Sequence, residues 1–148
     1  MPNDVLRTLR ALPALAACAA LLVGCGGGIE YGARGEEITP EAELEIEMAR
    51  NPRDDGQWPI TVEVDELPRP HELGDAVRSY AVWMVEPESE TPRFVGTMTY
   101  DRDARFGQLH STTPHDRLTV IVTAEETESP SAPSAMVIAR REIHHDPS

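Results

Sequence analysis

Acidic and apolar residues alternate from Glu41 to Ala49. On a strand, Ala42, Leu44, Ile46 and Met48 share one face, and Glu41, Glu43, Glu45 and Glu47 share the other. A helix is the competing reading, since Thr39-Pro40-Glu41 has the form of an N-cap with proline at the first helical position. It would set Glu41 against Glu45 and Glu43 against Glu47, like charges one turn apart, and scatter the apolar residues round the cylinder. The strand is favoured. The same alternation returns from Pro59 to Leu67, with Ile60, Val62 and Val64 on one side and Thr61, Glu63 and Asp65 on the other.

Further along, Tyr80 to Val85 is apolar on both faces, as in a strand covered on both sides. His71 to Val77 reads as a loop or a short helical turn. Strands are expected over Phe94–Tyr100, Arg105–Ser111, Arg117–Ala124 and Ala135–Ile143, with Gly96 marking a bulge or a close approach. Proline, glycine and Asp-rich turns separate them. About seven short strands between residues 41 and 143 fit an all-β fold, an antiparallel immunoglobulin-like β-sandwich. Trp83 falls on the third strand, where such sandwiches often bury a tryptophan. Residues 144–148 read as a polar tail.

Charge narrows the function classes. The 148 residues carry 26 acids against 13 arginines and no lysine, for a net charge of -13. A chain with no basic surface to displace phosphate counterions is not expected to bind nucleic acid. The two cysteines, Cys18 and Cys25, do not make a disulfide framework.

The N-terminus has a different texture. Arg7 and Arg10 precede an apolar run from Ala11 to Val23, 13 residues broken only by Pro13. That run is short of the roughly 20 residues a membrane-spanning helix needs. A charged start, a short apolar stretch and small residues describe a secretory signal peptide over residues 1–24. Leu22-Val23-Gly24-Cys25 resembles the lipobox of bacterial lipoproteins. The resemblance implies cleavage between Gly24 and Cys25 and lipidation of Cys25, and hence a partner in the membrane itself. It also implies an extracytoplasmic place, in the periplasm or at the cell envelope. Gly26, rather than Asp, follows the cysteine, which in enterobacterial lipoproteins goes with the outer membrane more than the plasma membrane. From Cys25 onward the net charge would be -14, so attachment would rest on acyl chains and not on a basic surface. Residues 25–40, opening on Gly26-Gly27-Gly28, read as a flexible tether.

From Pro68 onward the chain resembles the extracytoplasmic C-terminal domain of anti-sigma-K factors and related lipoproteins. The resemblance runs through Tyr80-Ala81-Val82-Trp83-Met84-Val85, Gly96, Val122-Thr123-Ala124-Glu125-Glu126 and the Pro130–Ser134 loop. Where that family usually carries glycines after Ala-Glu, Glu126-Thr127-Glu128 stands here. The family joins this domain to a transmembrane helix and a cytoplasmic sigma-binding part that this sequence does not show. The resemblance therefore implies a sandwich with a sensing or binding role and no catalysis, and not sigma-factor capture.

The chemistry-bearing residues are sparse. His144-His145-Asp146 would chelate a metal poorly, because neighbours on a strand point to opposite faces. Ser111, His115 and Asp116 lack the strand, elbow and helix that present a catalytic nucleophile. Glu125, Glu126 and Glu128, with Asp101 and Asp103, follow no calcium-loop spacing. No catalytic residue, metal site or cofactor is expected. The candidate interaction face is Glu41, Glu43, Glu45 and Glu47 with Trp58: the glutamate row either guards a sheet edge or docks a basic envelope protein, and Trp58 either stacks on a ligand or packs at the core or its rim. The function expected is a non-enzymatic binding or structural role at the envelope. The alternatives are an envelope-stress sensor partner and a metal- or ligand-binding accessory subunit of an envelope enzyme complex.

Overall fold

The computed structural model describes residues 27–147. Among these residues are nine strands: β1 Ile29–Arg34, β2 Glu43–Met48, β3 Trp58–Asp65, β4 Ser79–Val85, β5 Arg93–Thr97, β6 Thr99–Asp101, β7 Phe106–Thr113, β8 Arg117–Glu125 and β9 Val137–His144. One short helix, α1 Pro70–Leu73, lies between β3 and β4. Two antiparallel sheets form, ordered β1-β2-β3-β7-β6 and β5-β4-β8-β9. This is an immunoglobulin-like sandwich: β3 crosses to β4, β5 returns to β6, and β7 crosses to β8. No helix among the described residues is long and apolar enough to cross a membrane.

The core follows from alternation. Leu44, Ile46 and Met48 of β2, with Ile60, Val62 and Val64 of β3, face Tyr80, Val82 and Met84 of β4 and Leu118, Val120 and Val122 of β8. Nearly all are without solvent contact. Two tyrosines hold the β3–β4 crossover, the Tyr80 hydroxyl donating to the Pro68 carbonyl and the Tyr100 hydroxyl to that of Leu67 at 2.8 Å. Burial pushes both phenols above their ordinary pKa.

The structure differs from the sequence reading in three places. Residues 29–34 are not part of a tether. They form β1, with Tyr31 beside Ile46 and Ala33 beside Leu44. The glycines around this segment mask a good alternating strand, Ile-Glu-Tyr-Gly-Ala-Arg. Phe94–Tyr100 is two strands and not one. Met98 is the buried step between the sheets, its N–H donating to the Tyr80 carbonyl at 2.8 Å. Gly96 stands opposite Val82, next to a bulge, where a Cβ would come within 3.2 Å of Leu109 in the facing sheet. The expected tail is partly built in: β9 runs through His144, and His145 is buried.

Trp83 is buried, as expected for a tryptophan on this strand, and it lies on the outer face of its sheet, in a small second core with Ala81 and Ile121 flanked by Phe94 and Val137. Trp83 and Phe94 meet edge to face at 5.3 Å between ring centres. The indole N–H donates to Thr123 Oγ1 at 2.8 Å, and that hydroxyl donates to Glu125 Oε1 at 2.6 Å. The same oxygen accepts the Ser134 N–H at 2.8 Å, which brings the Ser/Pro-rich 126–134 loop back onto the strand.

Two stability measurements follow. Removing residues through Arg34, which would be neutral for a tether, is expected to destabilise the domain by on the order of 3 kcal/mol in urea unfolding, because β1 buries Tyr31 and Ala33 against the core. Thr123→Val is expected to cost about 1–3 kcal/mol by leaving the Trp83 N–H and the Glu125 carboxylate without their shared partner.

Candidate functional site

The outer face of the five-stranded sheet collects carboxylates. Glu43, Glu45 and Glu47 project outward from β2 because Leu44, Ile46 and Met48 project inward. Cross-strand register brings in further acids. Glu30 of β1 lies opposite Glu47, Glu63 of β3 lies opposite Glu45, and Asp65 lies opposite Glu43. Six carboxylates thus share three adjacent strands, with like charges paired directly across. Arg34, opposite Glu43, is the one arginine in the five strands of this sheet.

Glu45 sits at the centre. Its pKa is raised above the ordinary carboxylate value by desolvation first, then by the charges of Glu30, Glu63, Asp65 and Glu47. Opposite it stands Gly32, which leaves that position on the face without a side chain. The result is an open depression of about 450 Å³ lined by Gly32, Ala33, Arg34, Glu43, Leu44, Glu45 and Asp65. Carboxylates dominate its rim, and the flanks are polar. The amide of Gln108 donates to Glu63, and Thr61 Oγ1 pairs with His110 Nδ1 at 2.9 Å. A site of this shape and charge suits a cationic side chain from outside.

Not all the residues expected to form this face belong to it. Glu43, Glu45 and Glu47 do; Glu41 is exposed on the turn just before β2. Trp58 does not. It shares the inward parity of Ile60 and Val62, packs against the main core, and lies edge-on to the His145 ring at 6.3 Å. Its indole nitrogen and Nε2 of His145 are buried without a protein partner, while His145 Nδ1 meets the Tyr31 hydroxyl at 2.9 Å. Glu63 and Asp65 were legible as the outward set of their strand. Glu30 was missed because β1 itself was missed.

The other chemistry-bearing residues are dispersed. His110 turns to Thr61, and His115 approaches Glu86 at 3.6 Å, so Ser111, His115 and Asp116 do not assemble. Asp101 caps its own turn, accepting the N–H groups of Asp103 and Ala104 at 2.9 and 3.0 Å. Glu125 is committed to Thr123 and Ser134. Among the described residues no three His, Cys, Asp or Glu side chains are grouped to hold a metal. The signal peptide, Gly24 and Cys25 lie outside the described residues. No family model, no curated protein and no solved structure matches the chain.

The acidic face has a measurable sign. A carboxyl whose pKa is raised on folding destabilises the fold fully at pH above that raised value, and the penalty is gone below its unfolded value. Glu45→Gln is therefore expected to stabilise the domain at neutral pH and low salt by up to about 0.5 kcal/mol. The gain should shrink with added salt and as pH falls through the carboxylate range, read by urea unfolding at several pH values.

Proposed function

We propose that this protein is a lipid-anchored extracytoplasmic β-sandwich of the bacterial envelope, non-enzymatic, whose acidic sheet face docks a basic protein partner. The observation that carries the docking reading is the carboxylate-rimmed depression over Gly32, with Glu45 crowded by like charges at its centre. The register sets these acids side by side although neutral residues would fit an exposed strand face equally well. A cationic side chain entering the depression relieves that repulsion, which gives the partner a favourable term and steers its approach. Simple edge protection accounts less well for the pattern, because β2 and β3 are interior strands of their sheet. The anchor reading rests on the sequence from Leu22 to Cys25.

Each part has its own test. Intact mass of the membrane-fraction protein is expected to equal residues 25–148 plus acyl chains, and Cys25→Ala is expected to lose both the acyl mass and membrane retention. An uncut or unacylated mass defeats the anchor. For docking, a short poly-arginine peptide is titrated calorimetrically against the protein. Binding is expected to weaken with salt and to fall several-fold in the Glu43→Gln, Glu45→Gln, Glu47→Gln triple variant. A control neutralising Glu86, Glu88 and Glu90 on the β4–β5 turn should change it little. Equal losses in the two variants would mean that net charge, and not this face, governs binding.

A further inference from the structure

The chain is held to the sandwich almost as soon as it leaves Cys25. The Gly27 carbonyl accepts Arg50 Nε at 2.9 Å, and the Gly28 N–H donates to Glu47 Oε1 at 3.0 Å. Gly28 lies so close to β2 that a Cβ there would stand 2.6 Å from Glu47 Cγ and 2.7 Å from the Met48 carbonyl oxygen. One residue, Gly26, therefore separates Cys25 from the first held position, Gly27. Two virtual bonds span at most about 7 Å.

Strand register shows which part of the molecule lies there. Ile29 pairs with Met48 and Met48 with Ile60, so β1 begins at the pole formed by the β2–β3 loop 49–57. Met84 pairs with Arg93 and Arg117 with His144, which places the β4–β5 turn 86–92, the 114–116 connection and residues 145–147 at the same pole. The opposite pole carries residues 35–42, 66–78, 102–105 and 126–136. The eight residues of β3 put the poles about 25 Å apart.

We propose that the 49–57, 86–92, 114–116 and 145–147 pole is a membrane-apposed surface, held against phospholipid headgroups with the strands standing along the bilayer normal. The proposal rests on the anchor reading above and adds an orientation to it. Charge does not choose between the poles: this one sets Arg50 and Arg53, with Arg93 and Arg117 at the adjoining strand ends, against the more numerous acids Asp54, Asp55, Glu86, Glu88, Glu90, Asp116 and Asp146. The short reach from Cys25 to Gly27 selects the pose. Lying on the five-stranded sheet would instead press six carboxylates against the bilayer, which anionic lipid opposes. The acidic face then looks sideways. Its depression near Arg34 and Asp65 stands on the order of 15–20 Å above the headgroups, open to a partner alongside on the same membrane.

The mature lipoprotein would have no free thiol, because Cys18 is removed and Cys25 is acylated, so single cysteines can be labelled uniquely. Asp54→Cys and Ala104→Cys, both exposed and at opposite poles, are made in the full-length gene. The purified lipoproteins are labelled with a fluorophore and reconstituted into phosphatidylcholine vesicles that contain headgroup-nitroxide lipid. Quenching at position 54 is expected to exceed that at position 104 several-fold. Inserting twelve Gly/Ser residues between Gly26 and Gly27, a chain of about 19 Å root-mean-square span, should remove most of the difference. An acylated protein with equal quenching at both positions, or stronger quenching at 104, overturns the orientation while leaving the anchor standing. A protein without acyl mass that does not float with the vesicles overturns the anchor, and the orientation falls with it.

Discussion

Along β2 and β3 the side chains alternate with a period of two, so one register decides two surfaces at once. The pairing that sets Ile46 beside Val62 in the core also sets Glu45 beside Glu63 outside. A slip by one residue would bury the glutamates and expose Leu44, Ile46 and Met48, a change the core forbids. The acidic face is therefore locked in place by the hydrophobic interior. The repulsion between its carboxylates is a modest exposed-charge term, and it is overridden by the burial of six large apolar side chains on the other side of the same two strands.

β1 extends this arrangement and ties it to the chain terminus. By adding Tyr31 and Ala33 to the core it brings Glu30 and Arg34 onto the acidic face, and Gly32 opens the depression between them. The same strand meets the opposite sheet along its edge. There the Tyr31 hydroxyl reaches His145, while the turn after β1 bonds across to β9, with the Glu36 N–H donating to the Ile138 carbonyl at 2.7 Å. The two sheets are thus closed along one side by residues from near both ends of the chain. An anchor at Cys25 would leave almost no slack before this closed unit, which is why the position of the lipid bears on the direction the acidic face looks.

The second sheet is stabilised differently. β4 is apolar on both faces, and among the described residues no third layer of secondary structure covers its outer side. Phe94, Ile121 and the Ser/Pro-rich loop do that work, with the Trp83–Thr123–Glu125 chain supplying hydrogen bonds for the buried polar atoms. Glu125, one of a run of loop acids without calcium-loop spacing, is thereby a structural acceptor for the loop.

Sequence alone determined the class and most of the strands, since a period of two and turn residues at regular spacing are local properties. Glu43, Glu45 and Glu47 were assignable to one outward row for the same reason, and the apolar inner row named the core. What only the tertiary structure decided depends on which strands become neighbours. Glu30, Glu63 and Asp65 join the acidic row through pairing, and no local pattern encodes pairing. β1 was hidden because glycine signals flexibility locally, whereas here Gly28 is required by the close approach of β2. Trp58 has the inward parity of Ile60 and Val62, so its place beside the core followed from the strand, whereas the side taken by Trp83 was decided only when the two sheets closed on each other, because β4 is apolar on both faces and its sequence marks neither as inward.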